Sequence, residues 1–181
     1  DYFNDEIDGQ VNVTTAKRQP GSSIKPIIYA SAFKGNYNPA FVLFDLSTDF
    51  GQGYRPENYT GQQYGPITMR QALSNSINVA SVKTLALAGI KESLVTAKDL
   101  GITTLTDPDR YGLSLVLGGG EVKPLEMAGA FAAFGNEGKF NQLTPILKVQ
   151  DDQGKILEEF KKAKNDQRLD PQIAYEITHI L

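Results

Sequence analysis

Cysteine is missing from all 181 residues and histidine occurs once. The first absence removes disulfides, thiol nucleophiles and thiolate metal sites together. The second leaves only His179, two residues from the C-terminus. A Ser-His-Asp hydrolase needs a histidine held in a folded shell, so His179 is expected on a helix surface and not in catalysis. A multi-histidine metal site is excluded, and no metal or cofactor is expected. Basic runs are also scarce. Beyond the short stretch Lys161, Lys162, Lys164 no lysine or arginine cluster occurs, and the formal net charge is -3. Nucleic acid is therefore not expected as a partner, because phosphate neutralisation needs a concentrated basic face. The apolar runs are too short to span a bilayer and no signal peptide is visible, so any anchor or export signal is expected outside this chain.

What is present is a folding chain. Apolar residues make up 40% of it, enough for one domain with a core. The alternating run Val11-Asn12-Val13-Thr14-Thr15 predicts an extended segment. Pro20-Gly21 breaks the chain, and an apolar helix follows with Ser22 near its N-cap and Pro26 in its first turn, ending at Lys34-Gly35-Asn36. Residues 36–67 are rich in glycine and proline, with Tyr54, Tyr59 and Tyr64 between them, and read as a long functional loop whose tyrosines line a groove or pack it. Thr68 caps a helix over Met69–Asn75. Further helices are predicted from about Val79 to Ala88, stopped by Gly89, and from Lys91 to Leu100, stopped by Gly101. Pro124 opens a small-residue helix to Phe134. Pro145–Phe160 reads as a hairpin turning at Asp151-Asp152-Gln153-Gly154. Asp170 caps a last helix over Pro171–Leu181, which is expected to be cut short by the end of the chain.

The chemistry begins at Ser22-Ser23-Ile24-Lys25. A serine and a lysine three apart share a helical face, and a helix start offers unpaired N–H groups to an attacking oxygen. A partly desolvated lysine can lose its proton near neutral pH and act as base, which removes the need for histidine. By itself S-x-x-K is a weak signal, and a second copy, Ser31-Ala32-Phe33-Lys34, stands late in the same helix, where the backbone N–H groups are already used. Ser76-Ile77-Asn78 follows the Thr68 helix. Its hydroxyl can relay a proton and its carboxamide can hold a substrate amide, although the same residues also suit the end of one helix and the cap of the next. Gly118-Gly119-Gly120 lacks the spacing of a phosphate loop and reads as a tight turn seating the Pro124 helix. Asn12-Val13-Thr14 and Asn58-Tyr59-Thr60 match the glycosylation sequon, a pattern frequent by chance.

S-x-x-K at a helix start with S-x-N about fifty residues on is two thirds of the signature of serine penicillin-recognising enzymes. Around these motifs the chain resembles the transpeptidase domain of class A, bifunctional penicillin-binding proteins. The resemblance runs through Arg18 to Pro26, Tyr54-Arg55-Pro56-Glu57-Asn58-Tyr59, Gly65 to Val79, and Leu117-Gly118-Gly119-Gly120-Glu121 to Ala128. It implies a mixed α/β (α+β) fold of the β-lactamase/transpeptidase type, with the helical part largely present in residues 1–181 and the central-sheet strands partly missing. It implies a D,D-transpeptidase that cross-links peptidoglycan stem peptides through an acyl-enzyme and is acylated by β-lactams. Ser22 is then the nucleophile, Lys25 its base, Ser76 the proton relay and Asn78 the substrate-amide contact. Implied partners are a D-Ala-D-Ala donor, an amine acceptor and a glycosyltransferase domain of the same full-length chain. The implied location is the outer face of the bacterial cytoplasmic membrane, anchored by a segment outside this chain. The family's third motif, K-T-G, is absent. Lys83-Thr84-Leu85 is the nearest string, but it lies in a helical pattern. The rivals are a β-lactamase or β-lactam sensor of the same fold, the former lacking its usual E-x-x-L-N loop here, and a catalytically inactive binding or scaffold remnant.

Overall fold

The computed structural model describes residues 2–161 and 166–181. At its centre lies α1, Lys25–Lys34, whose residues from Lys25 to Phe33 are all buried. A helix that is apolar on every side belongs inside the core, and α1 is surrounded accordingly. It packs against α3 (Asn78–Ala88), α4 (Ile90–Asp99) and α6 (Pro171–Ile180). Two shorter partners complete its shell: α2 (Met69–Ser74) and the 3₁₀ segment Leu113–Leu117. Helix α5, Pro124–Gly135, packs on α6.

The helix punctuation follows the residues that supply it. Thr68 and Gln71 form a capping box at the start of α2. Gly89 and Gly101 end α3 and α4 with positive φ, and Asp170 caps α6 by accepting from the Gln172 N–H. At the end of α1 the left-handed residue is Asn36 (φ 70°), not Gly35. His179 stands in the last turn of α6, exposed, where the Arg70 guanidinium donates to its Nδ1 (2.8 Å). Among the described residues no helix is long and apolar enough to cross a membrane.

The sheets are small. β1 (Val42–Asp45) pairs antiparallel with β2 (Gly65–Thr68), and β3 (Lys148–Gln150) with β4 (Ile156–Glu159). The second is the expected hairpin, shifted by two residues on its first strand and bulged at Val149/Gln150. The first is a correction: residues 36–67 are not all loop. Four-residue strands, one of them carrying Pro66 at an edge where no ladder N–H is needed, leave little trace in a periodicity. The predicted extension at Val11–Thr15 is also overturned. Asn12 Oδ1 accepts from both the N–H and the hydroxyl of Thr14, and Asn12 O accepts from Ala16 N–H, which folds the stretch into a turn. The extended pairing falls later, where Arg18 and Val122 exchange backbone bonds of 2.9 Å. Of the basic stretch, Lys162 and Lys164 lie outside the described residues.

Candidate active site

Ser22 is not a helix N-cap. It sits in a 3₁₀ turn, Gly21–Ile24, that runs straight into α1. The cause is Pro26. In an α-helix the Ser22 carbonyl would accept from residue 26, but proline has no N–H, so the Lys25 N–H takes it in the tighter i to i−3 bond. Ser23 N–H donates to Pro20 O, which leaves the Ser22 N–H ahead of the first bond of the turn and without a partner among the described residues. The two adjacent serines differ. Ser23 Oγ donates to Pro20 O (2.6 Å), whereas Ser22 is exposed and its hydroxyl has no hydrogen-bond partner among the described residues.

Lys25 lies beneath, only 1% exposed. Its ammonium donates to Ser76 O (2.7 Å), Ser76 Oγ (3.0 Å) and Asn78 Oδ1 (2.8 Å). All three acceptors are neutral, and among the described residues no carboxylate pairs with it. Burial without a counter-charge favours the neutral amine and lowers the Lys25 pKa from its ordinary 10.5 to about 8. Lys25 therefore gives up its proton nearer to neutral pH than a free lysine does. Lys25 of S-x-x-K is thus brought to both polar residues of S-x-N, while the Ser22 hydroxyl bonds to none of the three. One turn along α1, the Tyr29 hydroxyl meets Ser81 Oγ (3.1 Å), which itself donates to Ile77 O, so a second buried bond locks α1 to the start of α3.

Ser76 is held in an unusual conformation. Its N–H donates to Leu73 O and the Ile77 N–H to Ala72 O, a Schellman ending of α2. The left-handed position of that motif normally carries glycine, yet here Ser76 occupies it with φ 54°. The strain aims both its carbonyl and its hydroxyl at Lys25. Asn78, the first residue of α3, spends its carboxamide on Lys25 and on Glu57 O (3.0 Å). A cavity of about 420 Å³ opens beside Ser76, lined by Asn58, Tyr59, Tyr64, Gln71, Asn75 and neighbours and free of charged groups. Tyr59 and Tyr64 face it, whereas Tyr54 packs away against Phe50, so the three tyrosines do not act as one cluster.

The second S-x-x-K plays no part here. Ser31 Oγ is buried in α1 without a hydrogen-bond partner, and Lys34 reaches Thr96 and Asp99. Lys83-Thr84-Leu85 is helical as expected, Thr84 Oγ1 bonding Ala80 O inside α3. Gly118-Gly119-Gly120 does more than seat α5. Gly118 lies against the backbone of Gly21, Gly119 against Ser114, and Gly120 against Leu105 and Leu115, which leaves no cradle for a phosphate. The sequence reading missed the contact of Gly118 with the turn that carries Ser22. It also missed Asn58, buried beside Asn78, and Asp45, buried beside Asn58. Asn58 lay inside the family-like stretch Tyr54–Tyr59 but drew notice only as a sequon, and its carboxamide is fully engaged in the interior.

A family model described as the penicillin binding protein transpeptidase domain matches residues 3–181. Penicillin-binding protein 2D of Bacillus subtilis is 36% identical over 181 residues, covering 97% of this chain and 25% of that protein. Penicillin-binding protein 1A of Aquifex aeolicus is 36% identical over 149 residues, covering 80% of this chain and 20% of that protein. The chain therefore spans a quarter or less of the length of these relatives. Penicillin-binding protein 1A of Haemophilus influenzae, a solved structure, superposes with a TM-score of 0.82 at 27% identity, covering 96% of this chain and 31% of that one. The penicillin G acyl-enzyme complex of penicillin-binding protein A from M. tuberculosis shares the fold with a TM-score of 0.84 at 19% identity, over 98% of this chain and 46% of that one.

Proposed function

The chain belongs to the penicillin-binding protein transpeptidase family, and from that premise we propose that it carries a D,D-transpeptidase site in which Ser22 is acylated and Lys25 is the base. The observation that supports this reading most is the lowered, buried Lys25 amine joined to Ser76 and Asn78, one turn below an exposed and untied Ser22 hydroxyl. In the neutral amine one Nζ position becomes a lone pair. Of its three contacts only the Ser76 hydroxyl can also donate, so a proton can move between Lys25 and Ser76 without rearrangement.

In this reading Ser22 Oγ attacks the penultimate D-Ala carbonyl of a donor stem peptide, and its proton passes to Lys25. The oxyanion faces the free Ser22 N–H at the start of the turn. The C–N bond breaks as Lys25, through Ser76, returns the proton to the departing D-Ala nitrogen. The amine of an acceptor stem then attacks the acyl-enzyme, its proton taken by Lys25 and returned to Ser22 Oγ. The Asn78 carboxamide keeps a second N–H and a second lone pair beyond its bonds to Glu57 and Lys25, and these it offers to the donor amide, while the uncharged cavity beside Ser76 suits a peptide backbone. No K-T-G occurs in these residues, and the Ser22 N–H is the oxyanion donor they supply in this reading. β-Lactams acylate the same serine. The site works on the outer face of the cytoplasmic membrane, beside a glycosyltransferase domain of the parent chain.

Fluorescent-penicillin labelling of the full-length protein and of its Ser22→Ala form tests the assignment. A stoichiometric label that Ser22→Ala abolishes is expected. A label that survives the substitution overturns it, and steady nitrocefin turnover in place of a burst points to a β-lactamase.

A further inference from the structure

β1 buries the wrong residues for an ordinary amphipathic strand. In Val42-Leu43-Phe44-Asp45 the inward positions are Leu43 and Asp45, while Val42 and Phe44 face outward, 48% and 59% exposed. A slip of one residue would bury the valine and phenylalanine and free the carboxylate. Instead Asp45 is fully buried, and one of its oxygens, Oδ1, has no partner among the described residues. Burying a carboxylate is costly unless hydrogen-bond donors or an opposite charge compensate it.

What it does is hold Asn58. Asp45 Oδ2 accepts from Asn58 Nδ2 (2.8 Å) and from the Tyr64 N–H (2.9 Å), and Asn58 Nδ2 also donates to Gln62 O (2.8 Å). That fixes which way the Asn58 carboxamide points. Its oxygen then accepts from the N–H groups of Asn78 (3.0 Å) and Val79 (3.1 Å), the first two residues of α3. All four hydrogen-bonding positions of Asn58 are filled, and only one orientation of the amide fills them. Helix α3 has no side-chain cap of its own, because its N-cap is Ile77, so Asn58 caps it from another segment. The neighbouring carbonyl of Glu57 takes Asn78 Nδ2. Asn78 is thus gripped at its backbone by Asn58 and at its side chain by Glu57 and Lys25.

We propose that Asn58, oriented by the buried Asp45, is a positioning residue for the transpeptidase reaction. It sets the carboxamide of Asn78, and through that carboxamide the amine of Lys25. The proposal rests on the acyl-transfer reading given above.

The test is a double-mutant cycle on the second-order rate of fluorescent-penicillin acylation in the full-length protein, with Asn58→Ala, Asn78→Ala and the pair, each checked by thermal melting. Asn58→Ala is expected to slow acylation by about tenfold or more, since it strands two helix N–H groups and leaves Asp45 with the Tyr64 N–H as its one donor among the described residues. Because Asn58 acts through Asn78, the double variant should be no slower than Asn78→Ala alone, within about twofold. A merely structural role multiplies the two losses, and that outcome overturns the proposal. Asn58→Asp is the second variant, in case Asn58→Ala gives no cooperative melt. It keeps acceptors for α3 but sets a second carboxylate against Asp45, and it too should slow acylation by about tenfold. An Asn58→Asp rate within twofold of the parent equally overturns the proposal. A Ser22→Ala control separates the two levels: if it still labels, the acyl-transfer reading falls, and if it does not, a null result at residue 58 counts against this inference alone.

Discussion

Gly118 and Gly21 meet backbone to backbone. A Cβ added to Gly118 would stand 2.5 Å from both the N and the Cα of Gly21, and both residues have positive φ, 101° and 57°. The turn that presents Ser22 is therefore seated on a glycine far along the chain. Gly118→Ala is expected to cost about 3 kcal/mol in urea unfolding, because neither backbone can give way and the conformation disfavours any Cβ. Its acylation rate should fall by at least about tenfold, since a small misplacement of a nucleophile is expensive.

Lys25 predicts the pH profile. Its folded pKa of about 8 makes the acylation rate rise about tenfold per pH unit below that value and level off above it. Lys25→Arg, which stays charged, should be slower by about 100-fold or more with no such rise. The stability consequence has a definite sign. The pKa is higher in the unfolded chain, so the unfolded state holds more protons between about 8 and that higher value. Denaturant midpoints should contain a component that grows with pH across that window and is flat below it.

Ser76 offers a separation of stability from activity. Its φ of 54° is disfavoured for any residue with a Cβ. Ser76→Gly should be about 1 kcal/mol more stable than Ser76→Ala in matched thermal melts. Both should acylate about 100-fold more slowly than the parent, because both lack the hydroxyl at 3.0 Å from Lys25. Equal melting of the two variants would show that the left-handed conformation carries no strain.

Ser31 distinguishes the two S-x-x-K copies. Its hydroxyl is buried with no partner, so Ser31→Ala should raise stability by about 0.5 to 1 kcal/mol, helped by the better helix propensity of alanine. Penicillin labelling should remain at the parent level. A lost label would make the second copy part of the site.

Helix limits were legible where one residue supplies the local physics: Thr68, Gly89, Gly101, Pro124 and Asp170 all act where they were expected to, and Gln71 joins Thr68 in a capping box that was not foreseen. The juxtaposition of Lys25 with Ser76 and Asn78 came from family likeness, since no spacing rule tells that residues 25 and 76 meet. The state of Ser22 was half legible. Pro26 was recognised as tolerable in a first turn, but its missing N–H also converts that turn to 3₁₀, which takes Ser22 out of the capping position. Asp45 and Asn58 were illegible for a deeper reason. Binary patterning assumes that an alternating strand buries its apolar side, and β1 instead buries Asp45 beside Leu43 and leaves Val42 and Phe44 outside, the carboxylate meeting contacts made by a segment that follows it.

That inverted strand links events during assembly. When β1 pairs with β2, the Asp45 carboxylate leaves water, and it finds its donors only when the loop through Asn58 and Tyr64 has closed over it. The same closure caps α3. Pairing of β1 with β2 and ordering of the first turn of α3 are therefore expected to form one cooperative unit. Native-state hydrogen exchange should show the amides of Leu43, Ile67, Asn78 and Val79 opening together, with a common free energy, rather than fraying as separate elements.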